Sequence, residues 1–275
     1  MINKLTKSEI NSILKIRKPN SNKETFGRAL LVVGSKGKMG AAVISARACL
    51  RSGVGLLTVN VPSEERETIQ ITIPEAMVME RENSELNTSI FSAIGIGSGL
   101  GISTKVEKIL IDFLQNYKQP MVLDADALNV ISLNKNLLKK VPKGSIFTPH
   151  QKEFDRLFGN HNSLEERIIS AIKKAKEMSC IIVLKSHKTI ITNGTETYRN
   201  TTGNAGLAKG GSGDALTGMI TAFLASNYTA FESAKLGVYL HGLAADFTLK
   251  KQSMESMLIT DVIENIGNSF KLSFK

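Results

Sequence analysis

The sequence predicts an α/β fold, a three-layer sandwich with a mostly parallel central sheet and helices on both faces. Three observations predict it. Apolar, β-branched runs alternate with helical patterns along the chain. The helical stretches are of the length that joins parallel strands in βαβ units. No Pro/Gly/Ser linker, composition shift or repeat divides the 275 residues, so one domain over 1–275 is expected.

The elements follow in order. Residues 29–33 (ALLVV) read as a strand and 40–51 as an alanine-rich helix. Residues 56–61 (LLTVNV) are the next strand, and 93–96 a short one ending in glycines before a helix at 105–116. Residues 121–124 (MVLD) form a strand leading into a helix or turn at 125–133. A strand at 145–148 ends at Pro149, and 164–178 reads as a helix. Residues 181–185 and 189–192 pair as strands across a short turn. Helices at 214–225 and 231–249 are expected to close the chain. In such sheets ligands bind beyond the carboxyl ends of the strands. Glycines and ionisable groups gather at five of those ends, 34–40, 97–101, 124–129, 148–153 and 185–189.

Composition narrows the function. With 42% hydrophobic residues the chain has ample material for a core. The polar opening lacks a signal-peptide apolar region, and no run approaches the roughly 20 residues that span a bilayer. Cys49 and Cys180 have no CxxC or metal-like partner, which points to a reduced, cytoplasmic location. The net charge of +10 invites a nucleic-acid partner. Yet there is no Trp, aromatics make up 5%, and the basic residues are spread along helical segments. Small polyanions fit better, with neither nucleic acid nor membrane as partner.

Residues 204–218, NAGLAKGGSGDALTG, are the most informative stretch. Beyond Asp214 apolar residues fall at 216, 219, 220, 223 and 224, a helix with one buried face. Gly211, Ser212 and Gly213 therefore lie where the first unpaired N–H groups of that helix point outward, a ready anion site. An aspartate there repels an anion. It makes sense as a base taking a proton from a hydroxyl that attacks a phosphoryl group held by the amides. The plainer alternative is a Gly-rich turn with a capping aspartate.

Other constellations are weaker alone. The loop 34–42, GSKGKMGAA, fails both the Walker A and GxGxxG templates. The alternating glycines of 97–101 suit close approach to a pyrophosphate or ribose, or a plain turn. Asp124 and Asp126 stand two apart after a buried strand, able to hold Mg²⁺ through water or to cap the helix that follows. Asp126 or Asn129 is the residue expected to face the site. Lys185 at a strand end is a point charge for phosphate or one of many solvated lysines.

Together these segments resemble the ribokinase-like superfamily, and within it the ADP/ATP-dependent NAD(P)H-hydrate dehydratases. GNAGLAKGGSGDALTG is similar to that family's GNxGxAxGGxGDxLTG, and 148–154 (TPHQKEF) to its TPHxxEF. The loops GSGLG and DADALN and the segment KSHKT match its remaining motifs in family order, from about residue 22 to 266. The resemblance implies a ribokinase-like fold and a metabolite-repair enzyme restoring NADH and NADPH from their hydrates. It implies Gly40, Ala41, Gly99, His150 and Asp214 on the hydrate. It puts Lys185, Ser186, His187, Lys188, Thr189, Asn204 and Gly213 on the adenine nucleotide. Gly211, Ser212, Gly213 and Asp214 are the expected catalytic group, and Glu153 with Asp126 the expected Mg²⁺ partners. ADP is the expected co-substrate with ATP left open, and a homo-oligomer, a tetramer among the options, is implied. Departures fall at Ser186, Ala205, Lys209 and Ser212, and at Asn22, where the family has His. A superfamily kinase acting on a vitamin precursor or sugar is the alternative, and a non-catalytic nucleotide-binding regulator a second.

Overall fold

The computed structural model describes residues 1–82 and 87–273. Ten strands form one sheet: β1 Asn3–Leu5, β2 Arg28–Val32, β3 Leu56–Val61, β4 Met77–Glu80, β5 Ala93–Ile96, β6 Met121–Leu123, β7 Ile146–Phe147, β8 Ile181–Leu184, β9 Ile190–Thr192 and β10 Thr197–Asn200. Their spatial order is β1-β10-β9-β8-β7-β6-β5-β2-β3-β4. The seven strands from β8 to β4 in that order are parallel to one another, while β9 is antiparallel to both its neighbours.

Helices α1 Lys7–Ile13, α2 Met39–Arg51, α3 Arg66–Thr72, α4 Thr104–Asn116, α5 Ala125–Leu133, α6 Gln151–Phe158, α7 Leu164–Met178, α8 Ser212–Ala225, α9 Ala230–Leu249, α10 Ile259–Glu264 and α11 Ile266–Ser273 cover both faces. Because strand side chains alternate faces, β2 sends Ala29 and Leu31 into a core shared with α2, α8 and α9. Leu30 and Val32 enter a second core shared with α4, α5, α6 and α7. Both faces are buried, which is why the strands read as unbroken apolar runs. Helices α2 and α8 pack backbone to backbone: a Cβ on Gly218 would collide with the Ser45 carbonyl.

The central strands and long helices fall where the sequence places them. It missed β1, β4 and β10, which are short and carry polar residues at or near the sheet edges, where burial leaves little apolar signal. The helix of 204–218 begins at Ser212 rather than Asp214, and the helix of 231–249 does not close the chain, since the short α10 and α11 follow it.

The chain runs outward from β2 in two directions, through β3 and β4 on one side and through β5, β6, β7 and β8 on the other. The reversal lies between β2 and β5. A crevice opens at the carboxyl ends of such a strand pair, and the two glycine-rich loops leave the sheet there.

Candidate active site

Those two loops are bonded to one another. The Gly34 N–H donates to the Ser98 carbonyl at 2.8 Å and Ser35 Oγ to the Gly99 carbonyl at 2.8 Å. Gly99 adopts φ +63, and a Cβ there would stand 2.8 Å from the Ala41 methyl. The glycine is thus required by the packing of the two loops. Gly40 has nothing within 4 Å of its Cβ position and lies open to solvent.

Arg81, which sequence reading missed, holds the same end of the sheet. Its guanidinium donates to the Val33, Gly34 and Asn60 carbonyls at 2.8, 3.0 and 2.7 Å and to Asn60 Oδ1 at 3.0 Å. Burial pulls its pKa down to about 10.

Helix α8 supplies the amide end. Gly211 is its N-cap with φ +93, a left-handed conformation that a side chain rarely takes, and no side chain caps the helix. The first intrahelical bond is Ala215 N–H to Gly211 O at 2.9 Å. The Gly213 and Asp214 amides precede it and are oriented to bind an anion. The half-buried Asp214 has its pKa pushed up to about 6 by desolvation and then by the Asp124 charge. Lys185 opposes the rise, as does Ser98, whose buried Oγ lies near Asp214 but outside full hydrogen-bond geometry.

Asp124 is the centre of the cluster and is 1% exposed. It accepts from Lys185 Nζ at 2.7 Å, Thr148 Oγ1 at 2.7 Å and Thr217 Oγ1 at 2.9 Å. Lys185 Nζ lies 3.9 Å from Glu153 Oε2. Desolvation works against the Lys185 charge, but Asp124, Glu153 and Asp214 outweigh it and raise its pKa.

His150 and Glu153 close the N-terminus of α6 as a capping box. The His150 N–H donates to Glu153 Oε2 at 2.8 Å, and the Glu153 N–H to His150 Nδ1 at 3.2 Å. Desolvation lowers the His150 pKa, and Lys185 and Arg156 add to this against the pull of Glu153. Strand pairing of His150 with Lys185 sets the box beside the Asp124 cluster. Asp126 accepts from the Gly101 N–H at 2.7 Å and from Asn129 Nδ2 at 3.3 Å, so it ties the β5 loop to α5.

The nucleotide-side residues are arranged more locally. Ser186, Lys188 and Thr189 close a turn: the Lys188 N–H donates to Ser186 Oγ, and Thr189 Oγ1 to the Ser186 carbonyl. His187 and Lys188 are exposed. Asn204 caps a short helical turn and donates to Asp246, so its side chain holds the loop that leads to α8. A cleft of about 1050 Å³ lies elsewhere, lined by Phe26, Phe223, Tyr228 and Phe270 near the far end of α8, and none of the expected site residues borders it. Of the remaining histidines, His161 binds Asp155 at 2.9 Å. His241 is buried in α9, where desolvation drops its pKa to about 4.

Comparison with known proteins gives the family of the whole chain. The ADP-dependent (S)-NAD(P)H-hydrate dehydratase of Enterococcus faecalis is 36% identical over 248 residues, covering 88% of this chain and 84% of that protein. A bifunctional NAD(P)H-hydrate repair enzyme of Moorella thermoacetica is 31% identical, and the chain spans about half its length. The crystal structure of the ADP/ATP-dependent NAD(P)H-hydrate dehydratase from Bacillus subtilis, co-crystallised with ATP/Mg²⁺, superposes with a TM-score of 0.89. It is 30% identical, and the match covers 99% of both chains. The family model described as NAD(P)H-hydrate dehydratase matches residues 29–268, and the chain belongs to that family.

Proposed function

We propose that the protein restores NADH and NADPH from their hydrated forms, consuming ADP or ATP, with ADP preferred. The observation that carries this is Asp214 in the first turn of α8, next to the Gly213 amide and facing the Lys185–Asp124 pair.

The substrate carries a hydroxyl on the ring carbon beside the nicotinamide nitrogen, and hydroxide is a poor leaving group. Asp214 takes the hydroxyl proton as the oxygen attacks the terminal phosphoryl group. The Gly211–Gly213 turn and its amides receive that group's developing charge. The shortened nucleotide departs. The ring nitrogen lone pair then expels phosphate, and loss of a proton from the neighbouring carbon restores the double bond. Gly40, Ala41, Gly99 and His150 face the hydrate. Residues 185–189 and Asn204 face the nucleotide.

Magnesium fits the donors present. Among the described residues no cluster of three ligating side chains occurs, and magnesium takes one or two carboxylates plus phosphate oxygens. Asp126 and Glu153 keep spare lone pairs beyond their hydrogen bonds. They would hold the ion through water, and it would neutralise phosphate charge. One sheet with β1 at its edge, and a single core on one face of it that takes in residues of α8, α9 and α10, support a single domain over 1–275. Homo-oligomerisation, as a tetramer, and a cytoplasmic location rest on the family likeness and on two buried free thiols.

The deciding experiment supplies hydrated NADH or NADPH, Mg²⁺ and either nucleotide. Dihydronicotinamide absorbance returns, and one phosphate is released per molecule repaired. Absorbance that stays flat with both nucleotides, while a sugar or vitamin alcohol becomes stably phosphorylated, establishes the kinase alternative instead.

Two further outcomes follow from the geometry. As a base Asp214 must be ionised, so kcat/KM falls about tenfold per pH unit below pH about 6 and is level above it. A limb at the ordinary carboxyl value of 3.8 removes Asp214 as the titrating base. His150→Asn keeps an oxygen to cap α6 and removes the imidazole. It raises KM for the hydrate roughly tenfold, the worth of one hydrogen bond, with nucleotide affinity unchanged. Equal loss on both substrates rules out a hydrate-specific role.

A further inference from the structure

Asp124 occupies the N-cap of α5, where an aspartate ordinarily accepts N–H bonds from the first turn, yet its side chain makes no capping bond. Both oxygens turn away to other elements. Oδ1 takes Lys185 Nζ from the end of β8 and Thr148 Oγ1 from the end of β7, each at 2.7 Å. Oδ2 takes Thr217 Oγ1 from α8 at 2.9 Å. The next residue, Ala125, has φ +45, which a non-glycine residue rarely adopts. Strain of this kind persists where the surroundings over-determine it, as at functional sites.

Thr217 lies three residues beyond Asp214, on the same side of α8. Its bond to Asp124 therefore fixes the rotation of the turn that projects Asp214 and the Gly213 amide. Lys185 Nζ stands 3.2 Å from the position a Gly213 Cβ would take, and Asp124 Oδ2 3.6 Å from it. A long lysine ordinarily samples many rotamers; this one is held as a fixed positive charge beside the first turn of α8.

We propose that Asp124 is a positioning residue that clamps the Lys185 ammonium and the first turn of α8 together, so that ammonium and amides meet the transferring phosphoryl group as one preassembled unit. The proposal rests on the phosphoryl-transfer reading above. Without the Asp124 charge, Lys185 has an alternative partner in Glu153, already 3.9 Å away. The ammonium is then drawn towards α6 and leaves the amide end of α8. Preorganisation is what is lost, and removing one preorganised donor costs about 10²–10³-fold in turnover.

The test combines Asp124→Asn, Lys185→Met, their double variant, and the pair Thr217→Val and Thr217→Ser. Kinetic constants are measured on the folded fraction, and ADP affinity by calorimetry. Asp124→Asn is expected to lower kcat about 10²–10³-fold with ADP affinity within threefold. The double variant is expected to be no worse than Lys185→Met, because members of one unit are not additive. Thr217→Val should lose about tenfold in kcat and Thr217→Ser recover most of it, a comparison that decides the matter even if Asp124→Asn fails to fold. The proposal is overturned if kcat stays within threefold, if the loss is all in KM, or if the two single losses multiply. Crystals of wild type and Asp124→Asn report the clamp without turnover. Lys185 Nζ should leave the α8 terminus in the variant, and a Lys185 that stays in place sinks the proposal even where hydrate repair is confirmed. Should the wild type repair no hydrate but phosphorylate another alcohol, the same comparison on that acceptor still tests the clamp.

Discussion

Asp214→Asn lowers turnover by about 10²–10⁴-fold, the usual contribution of a positioned general base. The replacement keeps the shape of the side chain and removes its proton affinity. ADP affinity changes little, since the side chain keeps its shape and a negative charge near the phosphates is lost. Stability tells the same story from the other side. The folded-state pKa of Asp214, about 6, lies above the ordinary 3.8. Its favourable contribution is therefore complete below about pH 4 and lost as pH rises through about 6. At pH 7 the fold carries an ionised, desolvated carboxylate, and asparagine should leave the melting temperature unchanged or raise it. Steady-state kinetics and thermal melts check both. Activity within a few-fold of wild type removes Asp214 as the base, and a collapsed melting temperature assigns it to structure.

The residues legible in the sequence are those whose signal is local. Gly211, Gly213 and Asp214 stand out because the period of 3.6 beyond them marks a helix start, and a helix start fixes where its free amides point. The loops after β2 and β5 were recognisable as glycine-rich strand ends, and the sheet places both at the reversal point, joined through Ser35 and Gly99. Asp124 carries no distinguishing local signal, because an aspartate before a helix reads as a cap. Only tertiary structure brings Lys185, Thr148 and Thr217 to it, across 61, 24 and 93 residues. Lys185 was legible as a cation at a strand end but not as an ion-paired one. Arg81 had no local signal at all, since its partners are carbonyls at the ends of two other strands. Helix α6 was masked in the same way, its first turn being read as a motif around His150 rather than as a capping box.

Gly213→Val abolishes phosphoryl transfer, by about 10³-fold or more, and leaves the protein folded. In the structure Gly213 lies inside α8 without a left-handed φ, and the strained position is Gly211, where a Cβ would also meet Ile44 Cδ1 at 2.7 Å. At Gly213 a Cβ would lie 3.2 Å from Lys185 Nζ and 3.6 Å from Asp124 Oδ2. The two methyls of valine extend further into the space between the amides and the ammonium, the space a phosphoryl group needs, and would displace Lys185. Interference with donors of this type is worth about 10²–10³-fold for one donor, and here amide access and ammonium are blocked together. Gly213→Ala gives an intermediate loss, because its single methyl group only crowds Lys185. Gly211→Ala behaves differently: it lowers the melting temperature along with activity, since the left-handed N-cap is itself disfavoured for alanine. Circular dichroism melts beside turnover separate the two glycines. A Gly213→Val protein that melts like wild type yet still transfers phosphate would place the phosphoryl group away from the end of α8.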